Sequence, residues 1–99
     1  MRMLILCVGL VAAAQAGAGE LATERYSEVQ LQVAREFLQR ARDAAHVGDR
    51  SLAGSLAWQA TLDARIALGM SESPEIRLGA ASVADEARRL VRSAASGGP

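Results

Sequence analysis

The side chains that could carry chemistry in this chain are few and stand apart. His46 is the only histidine. As a metal ligand it would need companions three or four residues away, and only Asp43 and Asp49 qualify. As a catalytic base it would need a nucleophile and an orienting acid nearby. We therefore interpret His46 as an exposed residue in the last turn of a helix, where the helix dipole favours its charged form.

The hydroxyl side chains in the middle of the chain do not form a catalytic arrangement. Ser51, Ser55 and Thr61 have no base at a spacing that would activate them as nucleophiles. The chain contains no lysine, so the scattered glycines are not part of a phosphate-binding loop. The only cysteine, Cys7, cannot form a disulfide within the chain. We therefore expect no enzyme activity, no cofactor and no bound metal ion.

Two other features could contact a partner. Arg77, Arg88, Arg89 and Arg92 form a predicted basic patch, which could bind an anion or a lipid headgroup. We favour a solvated helix face that complements the helix dipole. Trp58 is first interpreted as core filler against a third helix, and second as an exposed anchor, because tryptophans form strong hot spots. The candidate partner-contact residues are Trp58, Arg88, Arg89 and Arg92.

The first residues have the pattern of an export signal. Arg2 supplies a positive charge, residues 4–14 form an apolar run, and small residues follow at positions 14, 16 and 18. The run is too short to cross about 30 Å of hydrocarbon as a permanent helix. We predict a signal peptide over 1–16 or 1–18, a periplasmic or secreted location, and no stable membrane span in the mature form. Leu6 is bulky before Cys7, so we do not expect lipoprotein anchoring.

After the signal, three segments contain apolar residues that recur at helical spacing; they cover about 21–45, 50–68 and 74–95. Steps of three and four residues are typical of helices that pack at about +20°. Residues that typically end or begin helices lie between these segments. Gly48-Asp49 separates the first two helices, Gly69 ends the second, and Ser73-Pro74 begins the third. Short connections make neighbouring helices antiparallel. We predict an all-α, up-down-up three-helix domain over 19–96, with a flexible tail at 97–99.

The same spacing predicts which residues face each other. In the hairpin of helices one and two, Leu38 should lie by Ala57, Leu31 by Ala64 and Ala41 by Ala53. A second apolar edge of helix two, ending in Leu62 and Ile66, should face helix three, so that Ile66 meets Ile76, Leu62 meets Ala80, and Trp58 lies near Ala84, at least half buried. The alternative is that helix three swings away and offers its apolar face to another chain, because the alanine-rich core is thin.

The hairpin also carries a resemblance to a known family. The residues concerned are Ala34-Arg35, Leu38 and residues 41–44 in helix one, the Gly48-Asp49 turn, and the alanines at 53, 57, 60 and 64 with Asp63 in helix two. Residues 25–67 resemble the bacterial domain of unknown function 4398 family. The resemblance implies a small alanine-rich helical protein of the cell envelope and carries over no catalytic residue.

These observations favour a structural or protein-interaction module of the bacterial cell envelope. The chain has 11 basic and 11 acidic residues, and such a balance gives no long-range field to attract nucleic acid. We expect the partner to be an unidentified envelope protein or a second copy of the chain. The alternative is a periplasmic helical protein that binds a small ligand or a metal ion.

The signal pattern predicts the start of the exported protein. Protein recovered from the periplasm should begin at Gly17 or Gly19, because signal peptidase cleaves after small residues. Intact mass spectrometry measures this directly. A mass that retains Met1, or one that includes acyl chains on Cys7, would contradict the prediction.

Overall fold

The computed structural model describes the backbone of residues 2–96 and the side chains of residues 22–96. It contains three α-helices, α1 (Arg2–His46), α2 (Arg50–Met70) and α3 (Pro74–Ala95), and within this range it has no strand. The predicted all-α three-helix arrangement is confirmed. Among the residues with described side chains, no helix combines the length and the apolar character that a membrane span requires.

The helix boundaries differ from the prediction mainly at the start of α1. The predicted first helix began near residue 21, whereas α1 runs back to Arg2. Residues 15–21 include no proline, and the helix passes through Gly17 and Gly19, which are weak helix formers but do not block a helix. The predicted cleavage sites and the tail at 97–99 lie outside the residues whose side chains are described.

The two turns follow the local sequence. Gly48 has a φ of 82°. The side chain of Asp49 accepts a hydrogen bond from the backbone amide of Leu52 at 3.1 Å. Ser73 caps α3 in the same way, with Pro74 as its first residue. Gly69 does not end α2 as predicted, because the helix continues through Met70 to a cap at Ser71.

The core of the hairpin pairs large side chains of α1 with alanines of α2. Leu31 and Leu38 are buried in one cluster with Ala60, Ala64 and Ala67. All six residues of the predicted hairpin pairs are buried. The hydrogen bond from Ser71 Oγ to Glu24 Oε2 at 2.9 Å fits the same register, because Glu24 lies as far before Leu31 as Ser71 lies after Ala64.

The buried face of α1 shifts near its carboxyl end, where Ala44 is buried and Ala45 is exposed. Ala44 lies beside Leu52 and Leu56 of α2, whereas Ala45 borders an open depression near Gly48 and Arg50.

The contact between α2 and α3 uses small residues rather than the predicted large ones. A Cβ atom built on Gly54 would lie 3.2 Å from the Ala94 Cβ, so the two helices approach closely there. Ile66 is 42% exposed and lies outside the core cluster in which Ile76 is buried. The predicted pairing of Ile66 with Ile76 is therefore wrong, because α2 turns its small residues toward α3 and leaves its large ones outside.

Helix α3 also packs on α1, which closes the bundle. Gly79 lies against Leu31 and Arg35, where an added Cβ would be 3.2 Å and 3.0 Å from side-chain atoms of these residues. Arg42 of α1 forms an ion pair with Glu86 of α3. The arrangement in which α3 swings away from the hairpin is therefore not the one observed.

The tight alanine core gives a stability prediction. Ala57 is fully buried, so Ala57→Leu should overpack the bundle and lower the free energy of unfolding by about 1–3 kcal/mol. The matched control is Ala81→Leu on the exposed side of α3, which should change it by less than about 0.5 kcal/mol. Chemical denaturation measures both. Equal effects in the two variants would contradict this packing.

Candidate functional site

The outer side of α2 carries large apolar residues that the bundle does not cover. Leu52 is 48% exposed and Ile66 is 42% exposed, and Met70 is also exposed. Steps of 4, 3, 4, 3 and 4 residues place six side chains on this face, because such steps follow the turns of an α-helix. We call this face the outer stripe; it consists of Leu52, Leu56, Gln59, Asp63, Ile66 and Met70.

The outer stripe exposes almost no charge. Its one ionisable residue, Asp63, is only 8% exposed and accepts a hydrogen bond from Gln59 Nε2 at 3.3 Å. No ion pair involves Asp63 within residues 22–96. A helix face that stays in water is usually polar or charged, and a contiguous apolar face typically marks a contact surface.

The end of α1 extends this surface. An open depression beside Leu52 and Leu56 is lined on the α1 side by Ala44 and Val47, with Arg40 and Asp43 at its rim. Val47 is highly exposed. The apolar surface therefore runs from the α1–α2 turn to Leu56, and the stripe is apolar again at Ile66 and Met70, beyond Gln59 and Asp63.

A polar cluster that the sequence did not predict lies at the opposite end of the hairpin. Ser71 is 2% exposed and donates its hydroxyl to Glu24, while Glu24 also accepts from the Glu72 amide at 3.3 Å. Arg77 Nη1 donates to the Leu68 carbonyl at 2.7 Å and to the Ser71 carbonyl at 3.2 Å. These bonds tie the α2–α3 connection to α1, so the cluster has a structural role. We call it the polar clasp.

The sequence-predicted contact residues occupy other positions. Trp58 is 50% exposed, at the limit of the predicted half burial, but it lies outside the core cluster, so its interpretation as core filler is wrong. A small face of α2 packs on α3 and leaves the indole at the surface.

The predicted basic patch is divided between two roles. Arg88 and Arg89 both pair with Asp85, at 3.8 Å and 2.7 Å, and Arg92 is exposed near the end of α3. Arg77 belongs instead to the polar clasp, because its guanidinium reaches the carboxyl end of α2. The structure does not bring the arginines and Trp58 into one pocket with the outer stripe.

His46 lies in the exposed last turn of α1, as expected. Its two possible metal-ligand companions make other bonds: Asp49 caps α2, and Asp43 accepts from Gln39 Nε2 at 3.1 Å. Among the residues with described side chains, no three histidine, cysteine, aspartate or glutamate residues come together as a metal site.

The polar clasp gives a prediction. Glu24→Ala removes two charge-assisted hydrogen bonds and should lower the free energy of unfolding by about 1–3 kcal/mol. Glu36→Ala is the control, since Glu36 is an exposed glutamate in the same helix and should cost less than about 0.5 kcal/mol. Urea denaturation followed by circular dichroism compares them. If the two variants unfold at the same midpoint, the clasp does not stabilise the fold.

No family model, curated protein or solved structure matches this chain. The resemblance to the domain of unknown function 4398 family therefore rests on its quoted residues alone.

Proposed function

We propose that the protein is an exported helical interaction module of the bacterial cell envelope, and that it acts by binding rather than by catalysis. The observation that carries this proposal is the outer stripe of α2. Export rests on the charged and apolar start of the chain, and the envelope location also rests on the resemblance over residues 25–67.

The outer stripe has no use within the isolated bundle. Leu52, Ile66 and Met70 lie outside the core cluster, and a large part of their apolar surface stays in water in the single chain. Complete burial of a fully exposed side chain of this size is worth about 1.5–3 kcal/mol, so covering the exposed part of each of these residues adds about half of that or less. Several of them along one helix supply the free energy that a contact with another helical surface needs.

The alternative of a small-ligand or metal-binding protein has less support. Binding sites for such ligands are concave and present a few inward polar groups. The depression beside Leu52 and Leu56 is shallow and almost entirely apolar. The polar clasp directs its side-chain groups to the protein's own backbone and to Ser71.

Site-specific photo-cross-linking in the native cell tests the proposal. A benzophenone amino acid at position 66 should give a covalent adduct in the cell envelope, because Ile66 lies on the outer stripe. The same amino acid at position 78 is the matched control, since Leu78 is 74% exposed but lies on α3. Equal adducts at both positions, or none at position 66, would overturn the proposal.

A further inference from the structure

We infer that a second copy of this chain covers the outer stripe, with α2 of one copy antiparallel to α2 of the other. The inference rests on the proposed function and names the partner. A two-fold axis at the level of Thr61 relates the two helices. Such an interface is isologous, so the same face must be complementary to itself.

The spacing of the outer stripe is symmetric about Thr61. Leu52 and Met70 are equally far from it along the helix, and the same is true of Leu56 with Ile66. An antiparallel neighbour therefore places Leu52 against Met70 of the second copy, and Leu56 against Ile66 of the second copy. Each exposed apolar residue meets another apolar residue, which is the pairing that removes most apolar surface from water.

The polar residues of the stripe follow the same symmetry. Gln59 and Asp63 are each two residues from Thr61, so Gln59 faces Asp63 of the second copy. Within one chain Gln59 already donates one N–H to Asp63. A primary amide has two N–H donors and a carboxylate accepts several hydrogen bonds, so the second N–H can bond across the interface. The two-fold axis forms this bond twice.

Asp63 also decides the direction of the pairing. Two parallel helices in register would place Asp63 against its own copy, and like charges brought together at an interface repel each other. The antiparallel arrangement separates the two carboxylates and gives each an amide donor.

Other occupants fit the stripe less well. The apolar interior of a membrane would offer the Asp63 carboxylate no second hydrogen-bond donor, and the stripe itself carries no arginine to pair with it. A different helical protein would need no match between the residue types in the two halves of the stripe. Here apolar residues match apolar residues at both ends, and an amide matches a carboxylate at the centre, which is what a second copy of the same face requires.

Disulfide trapping tests the register. Residues 56 and 66 of one helix lie about 15 Å apart along its axis, whereas a disulfide requires Cα atoms within about 7 Å. The double variant Leu56→Cys/Ile66→Cys, in a full-length chain that also carries Cys7→Ala, should form a covalent dimer on mild oxidation. The single variants Leu56→Cys and Ile66→Cys should not, because neither residue faces its own copy.

A cross-link in the Leu56→Cys variant alone would indicate parallel helices and overturn the inference. So would a purified dimer whose double-cysteine variant folds but stays uncross-linked. If a cysteine variant does not fold, sedimentation equilibrium of the protein without introduced cysteines measures the oligomeric state instead. The expected mass is that of two chains.

Charge substitutions identify the surface independently. Ile66→Arg should weaken dimerisation at least tenfold, while the control Leu78→Arg on α3 should leave the dissociation constant within about twofold. Circular dichroism confirms that both variants fold. Equal effects of the two substitutions would overturn the inference.

The mass of the photo-adduct at position 66 separates this inference from the proposed function. An adduct of twice the chain mass supports both. An adduct with another protein, together with a monomeric purified chain, overturns the inference and leaves the interaction module standing. Binding of the monomer to anionic lipid vesicles through Ile66 would overturn the inference in favour of a membrane surface.

Discussion

Alanine and glycine fill the centre of this bundle, and the three helices approach closely only because these side chains are small. Ala57, Ala60 and Ala64 are fully buried in α2, and Gly54 lies against Ala94 of α3. An alanine methyl removes little apolar area from water, so close packing and dispersion must supply much of the stability. The larger residues of α2 are excluded from this contact, which explains the apolar outer face.

The two ends of the bundle are held by different means. At the α1–α2 turn, Gly48 adopts a positive φ and Asp49 caps α2, so the local sequence specifies the reversal. At the α2–α3 turn the polar clasp performs this role through bonds between residues far apart in the chain. Glu24 and Ser71 are 47 residues apart, and their bond fixes the register of α1 against the α2–α3 connection.

The sequence predicted those features that depend on local spacing. The limits of α3, the capping by Ser73 and the register of Leu38 with Ala57 follow from periodicity and cap chemistry, which act within one or two turns. The rotation of α2 about its own axis did not follow. Two apolar edges competed for α3, and the periodicity of α2 could not show that small residues allow the closer approach.

Two consequences of that rotation were therefore missed. Trp58 and Ile66 were assigned to the core, and both lie at the surface. The polar clasp was missed for a different reason. Glu24 lies within α1, and its partner Ser71 is 47 residues away in the sequence, so no local pattern marks the pair.

A small bundle with an alanine core has little stability of its own, since the buried apolar area of a domain this size is modest. Moving Leu52, Ile66 and Met70 inside would enlarge the core but would force α2 away from its neighbours and lose the contacts of its alanines. Leaving them outside preserves the close packing and keeps their hydrophobic free energy for a second surface. Association then stabilises the folded state by mass action, because only the folded helix presents the complete outer stripe. On this reasoning, the packing constraint that limits the single chain also creates the apolar face through which we propose that it binds.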